Sequence, residues 1–182
     1  LGALLFTPPA EHLPFFGDSA IYANEGVFIA RNGGFVTEHA ALAALPPEAR
    51  TLFYTTSAEQ FVNHPLQSYQ GIVYGGYYVM DAAAMTIRTS RMALTEVWFA
   101  LLYAVGGVRL ALYSTPLFAT AALILLYLIG RHFFGQALAI WAVLLLAVSY
   151  PQLHFGRAPY AEIAGQFWTL AGVLYALRWI EE

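Results

Sequence analysis

Three long apolar runs follow Arg109, and they are the feature that most limits how this chain can fold. They cover about residues 110–130, 136–153 and 160–179. A helix needs about 20 such residues to cross a bilayer, and each run reaches or approaches that length. Most of the charged residues lie before Arg109. The pattern predicts an α-helical integral membrane protein whose first half faces water.

The composition supports this interpretation and excludes several classes of protein. The chain is 59% hydrophobic and 10% charged, whereas a soluble domain carries about 25% charged residues. Its net charge of −3 argues against a nucleic-acid partner, which would require a basic face. Because the sequence has no cysteine, disulfide frameworks and thiolate metal sites are excluded.

Basic residues in the short loops predict which side of the membrane each loop occupies. Arg131 and Arg178 flank predicted spans and favour the cytoplasmic side. The loop with Arg157 then lies outside. Residues 9–109 also lie outside, as an extracytoplasmic loop region with short amphipathic juxtamembrane helices, provided that the apolar run at 92–105 lies in the interface. If that run crosses the membrane instead, the two regions lie on opposite sides, but its length of about 14 residues favours the interface.

Both ends of the sequence resemble cuts. Residues 1–8 are interpreted as the end of a truncated first transmembrane helix, because they are too short to span a bilayer and no basic segment precedes them. The sequence ends at Glu182, directly after the third apolar run. We therefore expect a fragment of a longer membrane protein, in which residues 110–182 supply three transmembrane helices.

The water-facing half contains a short predicted helix with an acid at its start. Asp18 is at the predicted N-cap position, and Gly33 and Gly34 supply a C-terminal stop. At helical spacing, Asp18, Tyr22 and Glu25 lie on one face. An acid at this position either only caps the helix or is held there for chemistry, and the residues alone leave both interpretations open.

The rest of this region combines a second short helix with a small β-element. Residues 38–45 predict the helix, which Pro46 and Pro47 stop. Runs of β-branched and aromatic residues between positions 61 and 90 predict two or three strands.

Two charged residues near the start of the third apolar run point to chemistry. Arg157 lies in the outer loop, and Glu162 follows just inside the predicted span. A planar guanidinium can bond two phosphate oxygens at once, and an acid at membrane depth faces a cavity or a partner. With Asp18 as a proton acceptor, these residues suit the transfer of a sugar from a lipid-linked sugar phosphate to an acceptor. The alternative is a structural salt bridge between Arg157 and Glu162.

The order and spacing of these segments resemble the GT-C superfamily of integral-membrane glycosyltransferases, specifically its glycosyltransferase family 39 and ArnT-like branch. Residues 17–22 and 29–34 are similar to the family's first-loop acid motif. Residues 116–135 are similar to its first long span with the basic turn, and residues 149–162 to its second outer loop.

The resemblance implies an enzyme of the cell envelope, in a bacterial or archaeal plasma membrane, with its active site facing outside. It would move a sugar, with inversion, from a polyprenyl-phosphate-linked donor to a protein, lipid or glycan acceptor. Asp18 would be the catalytic base. The expected substrate-binding residues are Tyr22, Glu25, His64, Arg157 and Glu162.

The sequence leaves the need for a cofactor open. No metal ligand is predicted and no cofactor is certain, although Asp18 and Glu25 could hold a divalent cation in a thin shell of two acids. Two alternatives to catalysis remain. One is a non-catalytic membrane transporter or scaffold subunit, and the other is a GT-C-like protein that has lost catalysis and only binds lipid or partner subunits.

Overall fold

The computed structural model describes residues 2–10, 18–55, 69–73, 77–89 and 94–182. Within these residues the fold is mostly helical, with one small sheet. The helices are α1 (Gly2–Phe6), α2 (Asp18–Asn32), α3 (Ala40–Ala43), α4 (Pro47–Arg50), α5 (Leu94–Leu112), α6 (Ser114–Ala147), α7 (Tyr150–Arg157) and α8 (Ala161–Glu181). The strands are β1 (Val36–Glu38), β2 (Tyr54–Thr55), β3 (Gly71–Val73), β4 (Tyr77–Asp81) and β5 (Thr86–Thr89).

The sheet is antiparallel, and its strands follow the order β1-β5-β4-β3-β2. Strands β3, β4 and β5 fall where the sequence predicts a small β-element, so that prediction is confirmed. β1 pairs with β5, with Thr37 opposite Ile87. Ile87 and its partner Val79 are buried. Because successive side chains of a strand point to opposite sides, these residues define one buried face of the sheet.

Two single-turn helices follow β1. α3 begins after His39, whose Nδ1 accepts a hydrogen bond of 3.2 Å from the backbone N–H of Leu42. Pro46 then precedes α4, and Pro47 occupies its first turn, where a missing N–H costs no helical hydrogen bond. The helix that the sequence predicts over 38–45 is therefore present in a shorter form as α3.

α2 packs directly on α5, and Gly26 allows the close approach. A Cβ on Gly26 would overlap the Cβ of Phe99 and lie 3.0 Å from the carbonyl oxygen of Glu96. Near the C-terminal end of α2, Arg31 Nε donates a hydrogen bond of 3.0 Å to the hydroxyl of Tyr103. These contacts hold α2 against α5 over several turns.

α5 is broken near its end, at Gly106 and Gly107. Gly107 has a φ of 68°, a conformation that favours glycine. The break folds the chain back, because Phe99 and Ala111 share one buried cluster with Tyr22, whereas a straight helix would separate them by about 18 Å. The unbroken part of α5, about 12 residues, is shorter than a bilayer crossing.

α6 is a helical hairpin, because its 34 residues turn back at Gly135. Gly135 has a φ of 79°, which again favours glycine. Gly130 and Ala139 meet across the turn, since a Cβ on Gly130 would lie 3.3 Å from the Cβ of Ala139. Leu123 and Ala147 share a core cluster further from the turn. The turn coincides with the basic loop that the sequence predicts between the first two apolar runs.

The second arm of the hairpin ends at Ala147, whereas the sequence predicts a continuous segment to residue 153. Ser149 is extended, with a ψ of 142°, and Pro151 stands in the first turn of α7. Proline lacks the N–H that would continue the preceding helix. The second predicted run is therefore two helices joined by a bend.

α1 and α7 both pack against the start of α6. A Cβ on Gly156 of α7 would lie 2.8 Å from the ring of Phe6 and 3.2 Å from the Cβ of Ala119. A Cβ on Gly2 would lie 3.0 Å from the hydroxyl oxygen of Thr120. Small residues thus bring three helices together at this end of the hairpin.

α8 runs parallel to the first arm of α6. Near the start of both helices, the rings of Phe118 and Phe167 have centroids 5.2 Å apart. At the other end, His132 Nε2 lies 3.4 Å from Glu181 Oε1. The two arms of α6 and the helix α8 therefore pack side by side and run in alternating directions, as three consecutive spans would.

In the part of the chain that the structure describes, two helices are long and apolar enough to cross a membrane: α5 and α6. That judgement rests on length and composition alone. α8, the third predicted span, is not among them. The first arm of α6, about 20 residues and about 30 Å long, matches the thickness of a bilayer's hydrocarbon core.

Candidate functional site

α2 carries three of the predicted site residues in different surroundings. Asp18 occupies the first turn of the helix and is half-buried. Tyr22 and Glu25 are buried, with 8% and 4% of their surface exposed. The helix therefore presents one acid near its start and a second, buried acid two turns later.

Tyr22 connects the start of α2 to the start of α8. It shares a buried cluster with residues of α5, and Ala161 packs against that cluster. Ala161 begins α8 and precedes Glu162. Because Asp18 is one turn before Tyr22 on the helix, the first turns of α2 and α8 lie at the same end of the molecule.

Arg157 ends α7 and is tied to the N-terminal segment. Its Nε donates a hydrogen bond of 3.2 Å to the carbonyl oxygen of Pro8, and its own carbonyl accepts one of 2.8 Å from the N–H of Ala10. Among the described residues, no ion pair within 4.0 Å joins Arg157 to Glu162. The salt bridge that the sequence offers as an alternative is therefore not formed there, and the guanidinium remains exposed.

A surface depression of about 370 Å³ surrounds Arg157. Tyr150 and His154 line it from the preceding turns of α7. Their rings stack, with centroids 5.8 Å apart and planes 17° apart. The ring centroid of Tyr160 lies 5.5 Å from that of His154. A guanidinium beside an imidazole is a suitable arrangement for a phosphate oxyanion.

Glu25 lines a separate cavity of about 320 Å³ between α2 and the sheet. The polar side chains around this cavity come from α2, β1, β4 and the residue before α3, and they include Asn24, Glu25, Thr37, His39 and Tyr77. None of the residues around Arg157 contributes to it. Asp18 lines neither this cavity nor the depression around Arg157, so of the two predicted acids of α2 only Glu25 lines one of them.

Burial raises the pKa of Tyr77 above its ordinary value of 10.0, and the negative charge of Glu25 adds to the rise. The two side chains are thus electrostatically coupled across the cavity. The phenol of Tyr77 stays protonated, and can donate a hydrogen bond, over the whole physiological pH range.

We expect Tyr77→Phe to remove part of the protein's loss of stability at alkaline pH. The folded pKa lies above the unfolded value of 10.0. The neutral phenol therefore stabilises the fold fully below that pH, and the contribution is lost as pH rises through the folded pKa. Thermal unfolding between about pH 8 and 11 measures it. Tyr175→Phe, on an exposed side chain, is the control, and equal pH slopes for the two variants would contradict the expectation.

Glu96 is a buried acid that the sequence reasoning missed. It is fully buried in the first turn of α5, and its carbonyl oxygen lies beside Gly26, next to Glu25. Glutamate is seldom buried to this degree. The available signal was a single acid at the start of an otherwise apolar helix, where the helix dipole favours a negative charge.

His64 lies outside the described residues, so its predicted role in substrate binding stays a prediction. Among the residues that the structure describes, no group of three or more His, Asp or Glu side chains could hold a metal ion. The divalent cation considered for Asp18 and Glu25 therefore gains no further ligands from this part of the chain.

No protein-family model matches this chain, and no curated protein and no solved structure matches it. The resemblance to GT-C glycosyltransferases therefore stays a hypothesis.

Proposed function

We propose that this chain is part of a membrane-bound glycosyltransferase that moves a sugar from a polyprenyl-phosphate-linked donor to an acceptor at the extracytoplasmic face. The observation that carries the proposal is the cluster joining Tyr22 of α2 to Ala161 of α8. It brings the turn with Asp18 to the end of the helical bundle at which Arg157 precedes α8. A proton acceptor and a phosphate-binding cation are then available at one end of an apolar bundle.

The exposed apolar surface of the long helices supports a membrane location. In the most apolar stretch of α6 only 17% of residues are buried, and in that of α5 only 28%. The core helix of a water-soluble protein buries its apolar side chains. Leu138, Trp141 and Leu145 of α6 are instead exposed, and a bilayer would cover such side chains.

The charges at the two ends of the bundle support one orientation. Arg131 and His132 precede the turn at Gly135, and Arg178 lies beside them at the end of α8. Basic loops next to spans favour the cytoplasm. α2, the sheet and Arg157 then lie outside, provided that α5 lies in the interface, and the break in α5 supports that condition.

Cysteine labelling from each side of the membrane tests this orientation. We expect Ala83→Cys, in the exposed turn between β4 and β5, to react with an impermeant maleimide from outside. Gln136→Cys, beside the turn at Gly135, should react only after permeabilisation. The chain has no native cysteine, so background labelling is low. Labelling of Ala83→Cys from the cytoplasmic side alone would overturn the orientation.

The proposed reaction divides its work between two residues. The carboxylate of Asp18 takes the proton from an acceptor hydroxyl while the hydroxyl oxygen attacks the anomeric carbon. A new carbon–oxygen bond forms as the bond to the phosphate oxygen breaks, and polyprenyl phosphate leaves with the electron pair. Arg157 binds the charge that develops on this leaving group. Attack opposite the phosphate inverts the sugar carbon.

Replacing Arg157 with lysine is expected to lower kcat/KM for the donor by about tenfold, because an ammonium cannot bond two phosphate oxygens in a planar fork. Transfer of a labelled sugar from a polyprenyl-phosphate donor, in membranes with and without the protein, is the measurement. Arg109→Lys, on another exposed arginine, is the matched control. Absence of transfer above that of empty membranes would contradict the proposed function itself.

The alternative, a non-catalytic scaffold or transporter subunit, draws on the same arginine. The hydrogen bonds from Arg157 to Pro8 and from Ala10 to Arg157 fix the N-terminal segment without any chemistry. A non-catalytic subunit would show a loss of thermal stability in Arg157→Lys and no transfer by the wild type. If the wild type transfers sugar and Arg157→Lys lowers stability alone, Arg157 is structural and its phosphate role is wrong.

A further inference from the structure

We propose that the cavity between α2 and the sheet binds a neutral ring that carries hydroxyl groups, of the size of one monosaccharide. Its volume is about 320 Å³, at the lower end of the range of about 300–1,000 Å³ for small-molecule sites. Such a volume suits a single ring better than a chain of several.

Aromatic and aliphatic side chains form much of the cavity wall. Phe28 and Phe35 line it from α2 and the residues that follow, and Tyr77, Val73 and Ile87 line it from the sheet. Aromatic rings offer flat, apolar surfaces with a negative face, and the C–H face of a sugar ring can lie against them. Apolar walls with a few convergent polar groups are typical of ligand pockets.

The polar groups of the cavity are mostly uncharged, and together they offer both donors and acceptors. Asn24 carries an amide at the lining, which can donate and accept. Thr37 carries a hydroxyl that donates a hydrogen bond of 3.1 Å to the carbonyl oxygen of Glu38, so its oxygen is left to accept. His39 Nδ1 accepts from the N–H of Leu42, so in the neutral ring Nε2 carries the proton and is a donor. Hydroxyl groups also donate and accept, and a ring with several of them therefore matches this set.

The charges around the cavity argue against an anionic ligand. Arg88 is among the residues around the cavity, but it alternates with Ile87 along β5 and pairs with Tyr78, so its side chain belongs to the opposite face of the sheet. On that face its positive charge offsets part of the rise in the pKa of Tyr69 that burial causes. Glu25 contributes the acidic side chain among the residues around the cavity, and a carboxylate there can accept hydrogen bonds from the hydroxyl groups of a neutral ring.

The cavity shares α2 with Asp18, which lies two turns before Glu25. Assigning the bound ring to the sugar acceptor rests on the proposed function. The binding of a ring does not rest on the proposed function, so an experiment can contradict one of the two proposals without contradicting the other. Glycoside binding without any transfer by the wild type would remove the proposed function and leave the cavity as a sugar site.

Saturation-transfer NMR on the whole chain in detergent tests the inference, with methyl glycosides of glucose, galactose and mannose as probes. We expect saturation to reach the ring protons of at least one probe. Val73→Phe, which fills the cavity, should abolish the signal. Thr37→Val should weaken affinity about fivefold, as expected for one lost hydrogen bond. Thr86→Val makes the same change on β5 outside the cavity lining and should have no effect.

Unfolding curves show whether Val73→Phe is folded, and Thr37→Val provides a milder variant if it is not. Binding that survives both variants would overturn the location of the site. Binding of a small ammonium ion, and of none of the glycosides, would overturn the neutral class of ligand. No binding of any probe by the wild type would overturn the inference as a whole.

Discussion

Replacing Asp18 with asparagine is expected to lower sugar transfer by about 100-fold or more while the protein stays folded. An amide cannot take the proton of the acceptor hydroxyl, so the general-base contribution is lost. Asparagine has the shape of aspartate and loses only the favourable interaction of a negative charge with the helix N-terminus, about 0.3–1 kcal/mol. α2 should therefore keep its packing on α5. The measurement is transfer of labelled sugar alongside the unfolding temperature in detergent.

Glu48→Gln is the matched control for this experiment. Glu48 also lies in the first turn of a helix, on the exposed α4, and its replacement should leave transfer unchanged. Full activity of a well-folded Asp18→Asn protein would mean that Asp18 only stabilises the helix. Glu25 would then be the next candidate for the base, in the cavity beside the sheet.

Replacing Gly26 with alanine is expected to lower the free energy of unfolding by about 2–3 kcal/mol, a typical cost of overpacking. An alanine in a helix normally stabilises it by about 1 kcal/mol relative to glycine, so the expected sign is reversed. The reason is steric, because the added Cβ would overlap the Cβ of Phe99. Chemical or thermal unfolding in detergent measures the change.

Gly165→Ala on α8 is the control for packing. A Cβ at Gly165 meets no other atom within 4 Å, so helix propensity alone should act and stability should rise slightly. If Gly26→Ala is as stable as Gly165→Ala, α2 and α5 are further apart than the structure places them. Loss of transfer in Gly26→Ala would then need an explanation other than displacement of α2.

Local features of the fold could be predicted from the sequence, because the residues that set them are adjacent. The acid at Asp18 and the positive φ of Gly33 fix the ends of α2 within a few residues of the prediction. The turn at Gly135 follows from the same logic. The β-branched and aromatic runs of β4 and β5 also predicted strands without knowledge of their partners.

Contacts between distant segments could not be predicted in this way. β1 joins β5 across about 50 residues, and no pattern within β1 specifies that partner. Glu96 is buried only because Gly26 lets α2 approach α5. For the site, the predicted topology put Asp18 and Arg157 on one side. The separation of Glu25 into its own cavity depends on how the sheet packs, which no single segment encodes.

The hairpin at Gly135 bears on the order in which the protein assembles. It joins Gly130 and Ala139, nine positions apart, whereas Gly26 meets Phe99 across about 70 residues of intervening chain. Closing a longer loop costs more conformational entropy, so we expect the hairpin to form early and the contact of α2 with α5 to form late. During synthesis, however, α2 leaves the ribosome first. In the proposed orientation it must therefore wait, unpacked and already translocated, until the helices that receive it have entered the membrane.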